Sequence, residues 1–276
     1  MTTVMSANLV LAVTSGIVGL LIGSFLNVVI YRVPNGMSVV RPRSSCPNCN
    51  GAIRAYDNVP VLSWVVLRGR CRDCSVPISG RYPVVELATG VLFALVTMRF
   101  LPADGLPTAA SLIVLVAFLY LMAISVALTM IDLDTHTLPN ALVLPAYPVL
   151  VVLLGGASAL DGDWVALLRA VIGLAALGTA YLVLAVAVPG GMGFGDVKLA
   201  GVIGFVLAYL GWGPLAVGAF GAFLLGGIFA LVLVASRRAG RKSGIPFGPW
   251  MVGGAWIGVF FGSVFWNAYL ALIGLG

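Results

Sequence analysis

Charge is nearly absent from long stretches of the chain. The first such run covers 7–30, and after a polar block at 32–82 seven more follow, at 83–101, 109–131, 141–156, 165–188, 198–211, 214–235 and 250–272. Apolar runs near or above about 18 residues read as helices that cross a membrane. The pattern therefore predicts an all-α polytopic membrane protein with about eight transmembrane helices and one small hydrophilic lobe. The 198–211 run is short for a crossing, which needs about 20 residues. Pro145 and Pro148 lie inside the fourth run and predict a kink or a short, broken helix there. Gly16, Gly19 and Gly23 fall on or near one face of the first run, and small residues let membrane helices approach closely. No Lys or Arg precedes that run and no small-residue cleavage site follows it, so it is expected to stay as a first helix and not to be removed as a signal peptide.

Composition strengthens this picture. The chain is 61% hydrophobic and 9% charged, against about 25% charged in soluble domains. The net charge of +6 raises a nucleic-acid partner, but the positions of the charges argue for topology. Eight arginines (Arg32, Arg41, Arg43, Arg54, Arg68, Arg70, Arg72 and Arg81) lie in the polar block, and basic residues collect in cytoplasmic loops. With that block cytoplasmic, the N-terminus is outside. Counting eight crossings then puts Asp132, Asp134, Asp196, Arg237, Arg238, Arg241 and Lys242 on the cytoplasmic side, and Asp104, Asp161 and Asp163 outside. Of fifteen basic residues only Arg99 and Arg169 fall near the outer face. The expected partners of the positive charge are lipid headgroups, with no nucleic acid. The expected organisation is a first transmembrane helix at 1–31, a cytoplasmic metal-binding lobe at 32–82, and a membrane domain at 83–276.

The lobe contains all four cysteines, as Cys46-Pro47-Asn48-Cys49 and Cys71-Arg72-Asp73-Cys74, two CxxC pairs with 21 residues between them. Two such knuckles offer four thiolates in a tetrahedron, the ligand set of structural zinc, and a cytoplasmic lobe keeps thiols reduced. Four thiolates leave no open position for water or substrate, so the metal is expected to hold an irregular or β-rich lobe together and not to do chemistry. The competing reading is a set of redox or incidental thiols. Arg43, Arg70 and Arg72 read as a solvated basic face that meets lipid phosphate.

Two carboxylates stand out in the membrane domain. Asp196 lies in Gly191-Met192-Gly193-Phe194-Gly195-Asp196-Val197-Lys198, a glycine-rich break between apolar runs, and Asp132 lies in Ile131-Asp132-Leu133-Asp134 at the end of another. A charge beside the membrane core is expensive and marks a functional candidate. Hydrolysis of a peptide by carboxylates needs a pair, one to take a proton from water and one to polarise the carbonyl. Like charges held close share a proton. Asp132 and Asp134 are two apart and point to different sides of a continuing helix. Asp132, nearer the apolar run, is chosen as the partner of Asp196, leaving Asp134 to bind substrate or cap the break. Gly193 and Gly195 let backbone approach a bound peptide. The plainer reading is a flexible loop with Asp196 as the N-cap of the next helix. Lys198 is expected to meet headgroups, His136 to be a surface residue, and Ile245-Pro246-Phe247-Gly248-Pro249-Trp250 to be a rigid helix start.

These residues together resemble the type IV prepilin peptidases, bifunctional membrane enzymes of the GxGD aspartic protease class. The resemblance runs nearly end to end. It includes Gly23-Ser24-Phe25-Leu26-Asn27, both CxxC pairs, Asp57-Asn58-Val59-Pro60-Val61-Leu62-Ser63-Trp64, Arg68-Gly69-Arg70-Cys71, Arg81-Tyr82-Pro83-Val84-Val85-Glu86-Leu87, the Asp132 segment, Gly193-Phe194-Gly195-Asp196-Val197-Lys198-Leu199 and Pro246-Phe247-Gly248-Pro249. It implies removal of a short basic leader from prepilins or pseudopilins, after a glycine, on the cytoplasmic side of a bacterial inner membrane. It also implies methylation of the new N-terminal residue with S-adenosylmethionine, as the family often carries out. Asp132 and Asp196 match the catalytic aspartates, and Cys46, Cys49, Cys71 and Cys74 the metal cysteines. Gly193, Gly195, Asp134 and Lys198 are the candidates for binding substrate or supporting the loop. Many members have Leu-Pro-Asp where this chain has Leu138-Pro139-Asn140, so position 140 is not a catalytic acid here. The glycines at 190–195 do not follow a predicted strand, so they make no dinucleotide-type loop, and S-adenosylmethionine rests on the resemblance alone. Paired carboxylates also suit an ion-coupled transporter, which predicts flux without cleavage. A non-catalytic scaffold predicts that both aspartates are dispensable.

Overall fold

The structure, a computed structural model, describes residues 2–102, 106–188, 192–236 and 246–274. Asp104, Gly191, Arg237, Arg238, Arg241, Lys242 and Ile245, to which the sequence assigns loop or topological roles, lie outside the described residues. The described elements are helical: α1 Thr2–Arg32, a 3₁₀ turn Ala55–Asp57, the short α2 Leu62–Val66, α3 Arg81–Phe100, α4 Ala109–Thr135, α5 Asn140–Asp161, α6 Trp164–Ala187, α7 Phe194–Leu210, α8 Trp212–Ala235 and α9 Gly248–Leu272. All but α2 and α7 are long and apolar enough to cross a membrane, seven in number among the described residues. The chain divides into two compact units, Met1–Ala127 and Leu128–Gly276, with α4 running from the first into the second.

In the first unit α1 and α3 pack through glycine. A Cβ on Gly19 would stand 2.9 Å from the Gly90 Cα, and one on Gly23 would stand 2.7 Å from the Glu86 Cα. The face that holds Gly16, Gly19 and Gly23 is thus a close-packing face, as the sequence predicts, and it lies against α3; at Gly19 and Gly23 only a hydrogen atom fits, while Gly16 has room for a methyl group. Polar groups at this contact pair with one another. Thr97 donates to Ser15 Oγ at 2.7 Å, and Asn8 donates to the Pro102 carbonyl at 2.9 Å.

The lobe is irregular. Among the described residues its β-pairing is confined to two isolated antiparallel bridges, Ser45 with Ala52 and Arg70 with Pro77. Each closes one cysteine knuckle.

In the second unit the helix with the shortest apolar run is the one at the centre. α7 has 17 residues, under the length of a crossing, and Leu199 through Ala208 are buried without a break. A helix apolar all round belongs inside protein, and α5, α6, α8 and α9 all pack against α7. Gly204 on α7 meets Gly173 on α6 backbone to backbone. Arg169, which the sequence places near the outer face, is engaged within the protein. Its guanidinium donates to the Ala208 and Tyr209 carbonyls at 2.6 and 2.7 Å and so satisfies the open C-terminal end of α7.

Of the kink or short, broken helix expected in the fourth run, the break is corrected. α5 continues through Pro145 and Pro148 for 22 residues. Each proline removes one helical donor, but both sit in the N-terminal half, and Val143, Ala146, Leu150 and Leu154 are buried along the same helix. Packing along that face holds the helix where its own ladder is incomplete.

Candidate active site and metal site

The two cysteine knuckles are copies of one another. The Cys46 amide donates to the Gly51 carbonyl at 3.0 Å and the Asn50 amide to the Cys46 carbonyl at 2.9 Å. Likewise the Cys71 amide donates to Val76 and the Ser75 amide to Cys71, both at 2.9 Å. Asn50 and Ser75, one residue past the second cysteine of each pair, both take positive φ, 55° and 60°. These turns bring the sulfurs of Cys46, Cys49, Cys71 and Cys74 within 4.8 Å of one another. Cys46 Sγ and Cys74 Sγ are 3.8 Å apart, which is the edge of a thiolate tetrahedron with arms of about 2.3 Å. The backbone favours charge on the sulfurs. The Cys49 and Asn48 amides lower the Cys46 thiol, and the Val76 amide, helped by the Asn48 side chain, brings Cys74 down to about 6. Cys49 goes the other way: the Gly51 amide favours its thiolate, but burial and the three neighbouring sulfurs push it up to about 11. Sulfurs this close repel as anions, and a cation among them removes the conflict. The four residues can hold a metal ion with no position left open.

Around this cluster the lobe is tied by ion pairs. Arg72 grips Asp57 with two nitrogens, at 2.6 and 2.9 Å, and lies 5.5 Å from the Tyr56 ring centroid. The bond from Arg72 holds the Asp57 carboxyl below the usual carboxylate range. Arg72 is thus engaged within the protein, and so is Arg54, paired with Asp73 at 3.3 Å.

The second unit contains both candidate carboxylates. Asp132 sits in the last turn of α4 and is 4% exposed, while Asp134, two residues on, is exposed. The helix persists to Thr135, so the two point to different sides, as expected. Asp132 Oδ2 accepts the Gly248 amide at 3.0 Å. Gly248 opens α9, and the first amides of a helix have no partner within it. Asp132 therefore occupies the positive end of α9. A Cβ at 248 would stand 2.7 Å from Asp132 Oδ2 and 3.2 Å from Leu138 Cδ2, so glycine is what admits the carboxylate.

Asp196 holds the equivalent place on α7. Gly193 is the N-cap, with Asp196 at the third helical position. Asp196 Oδ2 accepts the Gly193 amide at 3.1 Å, while the Asp196 amide donates to the Gly193 carbonyl at 3.1 Å. This corrects the reading of Asp196 as the N-cap itself; it reaches back to the cap from inside the first turn. Asp196 feels the charge of Asp132 and lies near the buried Tyr181. Leu138 lies between the two helix starts, 3.0 Å from a Cβ built on Gly195. Each carboxylate thus has one oxygen held by a helix-start amide and its Oδ1 without a hydrogen-bond partner among the described residues. With Asp196 in range of the Asp132 charge, the pair offers two open carboxylate oxygens, one for a water and one for a peptide carbonyl.

The remaining predicted residues fall nearby. Lys198 meets Asn140 and not only solvent: its Nζ donates to Asn140 Oδ1 at 2.9 Å, and its carbonyl accepts the Tyr147 hydroxyl at 2.6 Å. It ties the start of α7 to the start of α5. His136 is exposed, with φ of 53°. Pro246 to Trp250 is the helix start that the sequence predicts, and it is also part of the site through Gly248. Tyr181 and Leu138 were not anticipated. Tyr181 forms an aromatic group with Phe223 and Phe247, at centroid distances of 5.4 and 6.3 Å, and no local pattern distinguishes it from core.

Two family models match the chain. Residues 17–100 match the family model for the bacterial peptidase A24 N-terminal domain, and residues 119–231 match that of the type IV leader peptidase family. A protein of Aeromonas salmonicida named prepilin leader peptidase/N-methyltransferase is 37% identical, with 92% of each chain covered. Proteins of the same name from Aeromonas hydrophila and Neisseria gonorrhoeae are 38% and 37% identical, with 91% and 88% of each chain covered. No solved structure matches the chain.

Proposed function

Since the chain belongs to the type IV leader peptidase family, we propose that it is a multi-pass inner-membrane enzyme that cuts the short basic leader from type IV prepilins or pseudopilins and then methylates the new N-terminus. Asp132 and Asp196 are the catalytic pair. The observation that carries this assignment is the likeness of their support: each has one oxygen on the amide of a helix start, and Asp196 feels the charge of Asp132. In the reaction, one aspartate is ionised and takes a proton from a water held between the two. The other is protonated and donates to the scissile carbonyl oxygen. The proton moves on to the leaving amine as the bond to the leader breaks, so no covalent intermediate forms. Gly193 leaves room for the extended peptide at the start of α7, Gly195 supports that loop by its close approach to Leu138, and Lys198 supports it through Asn140. Asp134, exposed two residues beyond Asp132, is the candidate for binding substrate outside the catalytic pair. Cleavage takes place on the cytoplasmic side, with the N-terminus outside.

The metal held by Cys46, Cys49, Cys71 and Cys74 is zinc, in a closed thiolate site of structural type. When bound, it supplies cross-linking of the two knuckles. S-adenosylmethionine is the methyl donor that the family implies, and no residue is assigned to it here.

The test is processing of a prepilin in liposomes by the wild type and by Asp132→Asn, Asp196→Asn and Asp134→Asn, read by product mass. Loss of cleavage in the first two, with Asp134→Asn still active, is the expected result. A wild-type product heavier by one methylene reports methyl transfer. Cleavage that survives in Asp132→Asn or Asp196→Asn removes the pair. Ion flux without cleavage would favour a transporter.

A further inference from the structure

The lobe has an apolar surface that neither the metal site nor the carboxylates use. Leu62, Val65 and Val66, all on α2, are 64%, 60% and 73% exposed, an unusual concentration for a polar lobe. Beside them is a groove of about 310 Å³ lined by Val61, Trp64, Val65, Pro83, Val84 and Leu87, with Gly80 at its rim.

The groove is built from both the lobe and a membrane span. Pro83, Val84 and Leu87 belong to α3, and Leu87 stands six residues in from Arg81, about 9 Å along the axis at 1.5 Å per residue. The same face of α3 continues outward-facing through Val91, Leu95 and Met98, while the opposite face, with Val85, Thr89, Phe93 and Val96, is buried. The groove is therefore the upper end of the span's free apolar face. Tyr31 at the end of α1 and Tyr82 at the start of α3, both exposed, are the residue type that marks the headgroup level. Arg68 and Arg70 are exposed nearby in sequence and suit lipid phosphates.

The seating of α2 is held in place. Val61, which opens α2, takes φ of 62°, an uncommon conformation for a β-branched residue that persists only where the surroundings hold it. Its amide donates at 2.7 Å to Oε2 of Glu86, which is buried in α3. Trp64 donates to the Ile78 carbonyl at 3.1 Å and forms one wall of the groove. A buried carboxylate on the span thus fixes the start of α2 beside that span.

We propose that α2 is a membrane foot: Leu62, Val65 and Val66 insert at the edge of the bilayer and a phospholipid acyl chain occupies the groove against Val84 and Leu87. The occupant is lipid and not a peptide because the α3 wall of the groove, Val84 and Leu87, continues into the exposed apolar face Val91, Leu95 and Met98 of a span. Its residues offer no row of backbone donors and acceptors such as an extended peptide needs. Burial of apolar side chains at the interface together with basic residues is the pattern of an interfacial anchor.

The experiment places the photoreactive residue benzoylphenylalanine at Leu62, Val65, Val91 or Ala52 in the full chain, reconstituted in phosphatidylethanolamine–phosphatidylglycerol vesicles. Val91 is the bilayer-facing reference, and Ala52, exposed in the first cysteine knuckle, is the lobe reference. Adducts are identified by mass, with and without a prepilin. The expected result is phospholipid adducts at Leu62 and Val65 in yields like that at Val91 and roughly ten-fold above Ala52, unchanged by prepilin. Yields at Leu62 and Val65 no higher than at Ala52 overturn the proposal. Adducts with prepilin that replace the lipid adducts also overturn it, and assign the groove to substrate. The readout does not depend on cleavage, so it stands whether or not the aspartate pair is correct.

Discussion

Asp132 is held by a single amide 116 residues away in sequence, and the space it occupies exists because residue 248 has no Cβ. Gly248→Ala is expected to displace the carboxylate. A misplacement on the order of 1 Å costs about 10²-fold in rate, so kcat for leader cleavage should fall by that order while the chain stays folded. Steady-state cleavage kinetics beside a thermal melt in detergent separate the two effects. Asn140 offers a milder test. Its bond to Lys198 is exposed, and Asn140→Asp would turn it into an ion pair like the one the Leu-Pro-Asp relatives could form. Surface pairs contribute about 0–1 kcal/mol, so a small rise in melting temperature with cleavage unchanged is expected. Loss of cleavage would mean that the amide does more than tether α7. Of the residues at the site, Asp132 and Asp196 were legible in the sequence because a carboxylate beside an apolar run is costly. Gly248 was legible only as a helix start, and Tyr181 not at all, because a tyrosine in an apolar helix looks the same in core and in a site.

Among the elements, α7 sets the terms. Its first turn carries Asp196, its carbonyl end is held by Arg169, and its middle is buried on every side. The contact with α6 depends on two glycines. A Cβ on Gly204 would run into the Gly173 carbonyl and come within 3.0 Å of Leu177 Cβ. Gly204→Val should therefore separate α6 from α7 and cost more than the 1–3 kcal/mol or so of ordinary overpacking. Gly155 on α5 is the control, with nothing within 4 Å of its Cβ position. There Gly155→Ala should stabilise by up to about 1 kcal/mol through helix propensity. Thermal unfolding of the two variants should move in opposite directions; a harmless Gly204→Val would mean that the helix pair can open without loss. Apolar runs announced these helices, but run length alone could not say that α7 lies inside the unit, nor that α5 continues through two prolines. Both outcomes depend on neighbours.

For the molecule as a whole, two compact units carry two kinds of site. The cysteine cluster lies within Met1–Ala127 and the aspartates within Leu128–Gly276. A closed thiolate site is folding energy for the segment that holds it. Treatment with a strong metal chelator should expose the lobe between 45 and 77 to protease, while the α5–α9 unit keeps its helices. Circular dichroism and limited proteolysis on the same sample check this. Collapse of the whole chain would mean that the units are not separable in stability. By itself the sequence determined the membrane class, the paired knuckles and the two carboxylates worth testing, because hydropathy, CxxC spacing and the cost of a charge in an apolar setting are local properties. The tertiary structure alone decided that helix-start amides of α7 and α9 receive those carboxylates, that α7 is central, and that α2 turns its apolar side chains outward beside α3. Those outcomes depend on which backbone groups and faces meet across the fold, and no window of sequence contains both partners.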